Sequence, residues 1–308
     1  MKKLILFIFY FAFSINSIVA QSKEKPILSN KVDSLKYGWW TKSTQLGANF
    51  SGSAFSQNWQ GGGNNNLVFG GVFGHRADFT KGESIWTNDL QLQIGSIANY
   101  TKDQPKEVRK NVDRLFFETK YSKKISSKIN WFASINLLSQ LLKGVDYTNN
   151  KKPIVSSFFA PAFLTEGVGL EYKPTKYFVL NLGGATLRQT IVANENLKNS
   201  SEYIGKPEIF GVPRNKKIKN QGGFQLVAAY DKNLSEKINF KWRWQIFTPY
   251  QFNEFDHNLN AIATIKVNKY INLNAALIGI YDKSQTSPKN EKTWQINAGA
   301  NLGFSLQL

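Results

Sequence analysis

Apolar and polar residues alternate along most of this 308-residue chain, and most regularly in its last segment, 293–308. Trp294, Ile296, Leu302 and Phe304 share one parity there, whereas residues of the other parity are mostly polar. Successive side chains of a strand point to opposite faces, so the pattern predicts a strand with one apolar and one polar face. The segment is far longer than the typical strand of about five or six residues. It could supply the roughly 9–11 residues that a tilted membrane-spanning strand needs.

The same alternation recurs along the chain and predicts twelve strands. We place them at about 43–54, 65–79, 85–100, 111–121, 128–142, 158–173, 176–191, 221–231, 236–248, 254–267, 270–282 and 293–308. The predicted fold is therefore all-β, a transmembrane antiparallel up-and-down β-barrel of about twelve strands over residues 43–308. A soluble β-sandwich could also alternate, and two further patterns separate these two architectures.

The first pattern is the length of the connections. Bacterial barrels have short turns at the periplasmic end and longer loops outside. Every second predicted connection is short: 80–84, 122–127, 174–175, 232–235 and 268–269. The intervening connections are 55–64, 101–110, 143–157, 192–220, 249–253 and 283–292. All of them are longer than the short set except 249–253. This pattern favours the barrel.

The second pattern is the position of aromatic residues, which collect where a lipid-facing surface crosses each membrane interface. On the apolar parity, six lie beside the short turns: Phe79, Trp86, Tyr121, Trp131, Tyr172 and Tyr230. Tyr100, Tyr281 and Trp294 lie beside the long loops. Trp242 and Trp244 fall in mid-strand and are not expected to join a girdle. A sandwich gives no reason for aromatics to be sorted by both end and face.

The N-terminus predicts export. Lys2 and Lys3 precede an apolar run over 4–15, and small residues before Gln21 form a plausible cleavage site. The run is too short for a membrane helix, which needs about 20 residues. We predict a signal peptide at 1–20, a periplasmic leader at 21–42 and residence in the bacterial outer membrane. The chain has no cysteine, which excludes disulfides, thiolate metal sites and cysteine nucleophiles.

The formal net charge of +18 raises the question of an acidic partner. The lysines are scattered over turns and loops without a basic helix, so we expect no binding to nucleic acid. Attraction to anionic lipid headgroups explains the excess more simply. The expected partners are outer-membrane lipid, lipopolysaccharide and, through the C-terminal strand, the barrel-assembly machinery.

Several ordered segments carry a resemblance to a known family. They are Ser56-Gln57-Asn58-Trp59-Gln60-Gly61-Gly62-Gly63, Trp86-Thr87-Asn88-Asp89-Leu90, Asp113-Arg114-Leu115-Phe116-Phe117, Phe159-Ala160-Pro161-Ala162-Phe163-Leu164 and Gly167-Val168-Gly169-Leu170-Glu171-Tyr172-Lys173-Pro174. With them the chain resembles a family of Bacteroidota outer-membrane proteins catalogued as domain of unknown function 3078. The resemblance implies a β-barrel and carries over no catalytic or ligand residues.

Residues that could support catalysis are few. His75 and His257 are the only histidines, both on the apolar parity, and no serine follows His257 in the position that a lipase-like pair would need. Glu254 and Asp256 share a face, but they read as solvated charges at a strand start. Neither a metal nor a cofactor site is specified, and we expect no enzyme.

The polar faces of the strands offer more chemistry, because they line the predicted lumen. The charged lumen-lining candidates are Arg76, Asp78, Asp89, Arg114, Glu118, Lys120, Lys241, Arg243 and Lys266. They could form a packed interior of ion pairs, or a narrow water-filled path whose basic bias favours anionic solutes. Twelve strands lie between the filled small barrels and the open porins, so size leaves both readings open.

The long connection 192–220 combines apolar residues (Tyr203, Ile209 and Phe210) with a basic run. Loops of this length are usually functional or disordered. The apolar residues could fold the loop into the mouth as a constriction. We favour the second possibility, that the basic residues contact lipopolysaccharide. These residues are Arg214, Lys216, Lys217 and Lys219. The expected function is a narrow pore or passive transporter for small solutes; a non-conducting structural barrel is the alternative, and a lipid-modifying enzyme a distant third.

Overall fold

The computed structural model of the chain describes residues 38–56, 60, 65–100, 107–147, 150–282 and 294–307. The predicted signal peptide at 1–20, most of the predicted leader and the predicted loop tip around Trp59 lie outside these residues. Within them, long strands dominate, and the one helix, α1 (Glu195–Lys198), is a single turn.

Twelve of the described strands pair antiparallel and close into one barrel. They are β1 (Trp39–Ser53), β2 (Asn65–Lys81), β3 (Ser84–Tyr100), β4 (Glu107–Lys124), β5 (Ile129–Ser139), β8 (Ala162–Thr175), β9 (Phe178–Ile191), β12 (Ile218–Asn233), β13 (Ile238–Pro249), β14 (Asp256–Lys266), β15 (Ile271–Tyr281) and β16 (Gln295–Gln307). Each strand pairs with its neighbour along the chain, and β16 closes the ring on β1, where Phe50 lies opposite Leu302. The fold class and the count of twelve strands are confirmed.

Some bounds differ from the prediction. β1 begins at Trp39 rather than at residue 43, so the end of the predicted leader is part of the wall. β5 stops at Ser139 because Asp113 on β4 accepts hydrogen bonds from the backbone N–H groups of Leu141 (2.8 Å) and Leu142 (2.7 Å). This side chain turns the strand end into a tight bend that alternation could not reveal.

The connections sort by end as predicted. At one end of the barrel the strands are joined by short turns, at 82–83, 125–128, 176–177, 234–237 and 267–270. At the other end, longer connections include 140–161 and 192–217, with the short one at 250–255. By the rule for bacterial barrels, the short-turn end is periplasmic and the long-loop end is external.

The two faces of the wall differ in chemistry. Large apolar side chains stand exposed on the outside, such as Leu302 (40% exposed) and Phe304 (41%), while Asn301, which precedes them on the inner parity, is 7% exposed. This arrangement is repeated around the ring, with Phe69, Ile135, Leu182 and Leu273 also outward and exposed. A continuous apolar belt of this size would be unfavourable in water, and it identifies the wall as membrane-spanning.

Aromatic rings border this belt near the short turns. Trp40 contacts both Phe79 and Trp86, at ring-centroid distances of 5.1 and 6.1 Å. The expectation that Trp242 and Trp244 stand apart from the girdles is wrong. Trp242 stacks on Tyr230 near the short turns, and Trp244 stacks on His257 (5.9 Å). The staggered register of neighbouring strands brings these mid-strand residues level with strand ends elsewhere in the wall.

The pairing of β8 with β9 contains an irregularity that changes which residues face inward. Val168 pairs with Ala185 but Gly169 pairs with Gly183, so Gly184 is an extra residue in β9. A Cβ on Gly169 would stand 1.9 Å from the Leu182 carbonyl oxygen, so only glycine fits there. Beyond the bulge the parity of β9 reverses, which no regular alternation predicts.

Glu166 keeps the outward parity expected from the sequence and lies opposite Ile135 and Leu187. A bulge near Pro161 does not explain its position, because Pro161 precedes β8 and the register shift lies beyond Val168. Glu166 instead lies in the part of β8 nearest the long-loop end, where a lipid-facing charge costs less than at mid-membrane.

Two of the long connections pack against each other to form what we call the cap, residues 140–161 and 192–217. The cap contains α1 and four short strands, β6 (Gly144–Val145), β7 (Ile154–Ser156), β10 (Glu208–Ile209) and β11 (Val212–Pro213). It has its own apolar core, formed by Ala160, Val192, Leu197, Ile209 and Val212. The long loop therefore uses its apolar residues to hold its own fold.

Candidate functional site in the barrel lumen

A contact across the lumen is the most informative feature of the interior. The Arg243 Nη2 on β13 donates a hydrogen bond to the Glu118 Oε2 on β4 over 3.5 Å. Four barrel strands separate β13 from β4 on one side and six on the other. The two side chains therefore reach from nearly opposite walls and bridge the lumen.

Beside this bridge lies a second arginine. Arg114 and Arg243 both lie over the ring of Phe116, at 4.8 and 5.7 Å from its centroid. The Arg114 Nη1 donates to the Gln91 Oε1 over 2.9 Å, and the Arg243 Nη1 donates to the Gln245 Oε1 over 2.8 Å. The two guanidinium groups interact electrostatically as like charges.

Further charged side chains line the inner wall near the bridge. The Arg76 Nε donates to the Asp78 Oδ2 (2.9 Å) on the same strand. Asp89 on β3 accepts from the Gln91 amide (2.9 Å) and interacts electrostatically with Lys241 on β13. β3 and β13 are diametrically opposite, with five barrel strands between them on either side. Charges from the two walls therefore balance one another across the lumen.

Other charged candidates pair nearer the short turns. Lys120 and Lys173 both hold the fully buried Glu171, with Lys173 at 2.8 Å, and the Asn130 amide donates to the same carboxylate (2.7 Å). Lys241 pairs with Asp231 on the neighbouring strand at 3.4 Å. Lys266, the last residue of β14, is half-buried and lies away from the bridge.

Sequence reasoning missed a second charged cluster, which lies nearer the long-loop end. The Arg188 guanidinium donates to the Asp256 carboxylate (2.5 Å) and lies 3.3 Å from the Asp282 carboxylate. The rings of Phe163 and Phe247 lie over it, each 5.2 Å from the guanidinium carbon. Arg188 follows the bulge in β9, so its inward parity was hidden in the sequence.

Within the described residues, β15 and β16 carry no charged side chain on their inner faces. The Thr264 hydroxyl donates to Asn274 (2.9 Å), and the Asn274 amide donates to Asn301 (3.3 Å). Asn272 donates to Ser305 (2.8 Å). The lumen is therefore two-sided. Charged side chains gather on β2 to β4, β8 and β13, with the Arg188 cluster nearer the long loops, whereas amides and hydroxyls lie around the closing strand.

The residues weighed for catalysis do not come together. His257 contacts the rings of Trp244, Tyr281 and Trp294. Glu254 accepts a hydrogen bond from Gln221 (2.8 Å), whereas Asp256 belongs to the Arg188 cluster. Among the described residues, no group of three or more His, Cys, Asp or Glu side chains could hold a metal ion.

The four residues considered for lipopolysaccharide contact have different surroundings. Arg214 is used inside the cap, where its Nη1 donates to the Tyr203 carbonyl (2.8 Å). Lys216 and Lys217 are exposed, just before the outward-facing Ile218. Lys219 has the parity of Gln225, which is buried on the lumen side.

No helix of the described residues is long and apolar enough to cross a membrane. No curated protein matches the chain significantly.

The chain is similar to several solved structures at low sequence identity. The COG4313 outer membrane channel from Pseudomonas putida F1 is 8% identical, with a TM-score of 0.40, and the match covers 91% of this chain and 100% of that one. The translocator domain of the autotransporter NalP from Neisseria meningitidis is 10% identical (TM-score 0.34; 89% and 90% covered). The NanC porin is 7% identical (TM-score 0.37; 86% and 97% covered).

The closed antiparallel sheet and its apolar outer belt make this protein an outer-membrane β-barrel. Its sequence likeness to a family covers a smaller part of the chain. Residues 50–145, which include three of the five segments noted in the sequence, match the model of a family described as a protein of unknown function (DUF3078).

Proposed function

We propose that this barrel is a narrow pore that lets small solutes, preferentially anions, diffuse across the outer membrane. The proposal rests on the solvent exposure of the charged side chains that bridge the lumen. Although Arg243 and Glu118 meet across the lumen, their side chains remain 29% and 19% exposed, and Lys241 nearby is 25% exposed. Space for water therefore lies beside the bridge, which narrows the lumen without filling it.

The charge distribution supports a preference for anions. The guanidinium groups of Arg114 and Arg243 lie over one ring beside the bridge, and Arg114 donates to the neutral Gln91 rather than to a carboxylate. Rings of positive charge in a pore favour anions and disfavour cations. Because low-dielectric walls focus the field, two neighbouring guanidinium groups create a local positive potential at the constriction.

The alternative is a non-conducting barrel whose lumen charges only hold the wall together. Glu171 supports this view locally, since three side chains satisfy it and it is fully buried. The bridge region differs, because its contacts are longer and its groups stay exposed. The two functions therefore make opposite predictions for ion flow.

Planar-bilayer recording of the purified full-length protein tests the proposal. We expect discrete conductance steps and a reversal potential in a salt gradient that indicates anion preference. Folding is checked beforehand by the heat-dependent shift in gel mobility that closed barrels show. A folded barrel without conductance above the lipid background contradicts the pore and supports the structural alternative.

A further inference from the structure

We propose that Arg114 and Arg243 form a discrete binding site for a small oxyanion, a carboxylate or phosphate group, in the middle of the lumen. The inference rests on the proposed pore function, because the bound anion is the solute in transit. A binding site differs from a general preference for anions, because the electrostatic field of a pore attracts anions without becoming saturated.

Carboxylates neutralise Arg114 and Arg243 only weakly. Within the described part of the chain, Arg114 forms no ion pair, and its hydrogen-bond partner is the neutral Gln91. Among the described residues, Arg243 pairs with one carboxylate, Glu118, at the long distance of 3.5 Å. The carboxylate that attracts Arg114 is Asp89, which is linked to it only through the Gln91 amide, and the neighbouring Arg243 repels Arg114. A bound oxyanion would remove that repulsion.

Neutral side chains orient both guanidinium groups. Gln91 accepts from Arg114, and its own amide is held by Asp89 (2.9 Å). Gln245 accepts from Arg243 on the same strand. These amides hold the positions of the arginines without neutralising them, so the site is organised before a ligand arrives.

Both arginines lie on an aromatic surface, the ring of Phe116. Phe116 is buried, and both guanidinium groups lie over its ring. A guanidinium stacked on a ring keeps its N–H groups at its edge, available for bidentate hydrogen bonds to two oxygens of one carboxylate or phosphate. The ring also lowers the local dielectric, which strengthens the attraction to an anion.

Single-channel recording with inorganic phosphate added to a chloride electrolyte tests this site. We expect phosphate to reduce the chloride current with a saturating concentration dependence. Arg114→Gln, which keeps hydrogen-bonding capacity but removes the charge, is expected to raise the half-blocking concentration by about tenfold. Arg76→Gln removes the same charge from a lumen residue that is paired with Asp78, and is expected to change that concentration by less than about twofold.

Calorimetric titration of the detergent-solubilised barrel with phosphate provides a readout that does not depend on ion flow. Saturable binding that Arg114→Gln weakens and Arg76→Gln does not supports the site, even if the barrel fails to conduct and the pore function is contradicted. A conducting barrel with no saturable block and no calorimetric binding overturns the site and leaves the pore intact. Equal effects of the two variants also overturn it, because they indicate a diffuse field.

Discussion

Arg243 and Glu118 lie 125 residues apart in the sequence and meet at 3.5 Å across the lumen. Their strands, β13 and β4, are not adjacent in the sheet, so the two side chains meet only because the sheet closes into a barrel. Among the described side chains, this contact joins nearly opposite walls of the barrel directly.

Removal of this bridge should widen the passage. Arg243→Ala is expected to raise the single-channel conductance by roughly twofold and to lower the anion preference, because both bulk and positive charge leave the constriction. Planar-bilayer recording measures both quantities. Lys237→Ala, at an exposed turn on the periplasmic end, removes the same charge outside the lumen. A conductance that changes equally in both variants would show that the bridge does not limit flow.

The orientation of the wall predicts unequal tolerance to charge. Leu277 faces lipid on β15, while Asn260 faces the lumen on the neighbouring strand at the same level. Leu277→Arg is expected to lower the free energy of unfolding by about 2–4 kcal/mol, the cost of a lipid-facing arginine near mid-membrane. Asn260→Arg should cost clearly less. Urea titrations of protein folded into lipid vesicles give both values, and a larger cost for Asn260→Arg would contradict the assigned faces.

The stability of the cap should depend on one half-buried phenol, that of Tyr203. The Tyr203 hydroxyl donates to the Val155 carbonyl over 2.8 Å and so joins the two halves of the cap. Burial first, and then the charge of Glu202, raises the pKa of Tyr203, so the phenol stays protonated and donates at neutral pH. Tyr203→Phe is expected to destabilise the cap locally by about 1 kcal/mol.

Hydrogen exchange measured by mass spectrometry reports this change. Faster exchange should appear in 154–156 and 192–217 and be absent from the barrel strands. Tyr270→Phe, in a turn at the opposite end, is the matched control. Unchanged exchange in the cap would show that the apolar core alone holds its two halves together.

We also propose that Lys216 and Lys217 contact lipopolysaccharide. Both are exposed at the external end, just before β12, and further along the same strand the ring of Phe224 packs with those of Tyr250 and Phe252. Lysines above an apolar lipid-facing surface suit phosphate groups above acyl chains.

Charge reversal tests this contact. The double variant Lys216→Glu and Lys217→Glu is expected to lose about tenfold in affinity for lipopolysaccharide, because two attractive charges become repulsive. Native mass spectrometry of the detergent-solubilised protein measures bound lipopolysaccharide. Lys123→Glu with Lys124→Glu, at the periplasmic end, is the control. Equal retention in both variants would exclude these lysines as the contact.

Local alternation of apolar and polar residues is sufficient to predict the wall. Twelve runs of alternation predict twelve strands, and the parity of residues such as Leu302 against Asn301 predicts which face meets lipid. These features are readable because a strand repeats every two residues and the membrane requires one face to be apolar along the whole span. The alternation of short and long connections likewise predicted the two ends.

Which inner residues contact one another depends on how the barrel closes. The approach of Arg243 to Glu118, and of Arg114 to Arg243 around Phe116, depends on how far the sheet is sheared when it closes, and no local pattern carries that information. Arg188 faces inward because one extra glycine reverses the parity of β9. The cap has a core because two loops far apart in sequence bury their apolar residues together, since neither could shield them from water alone.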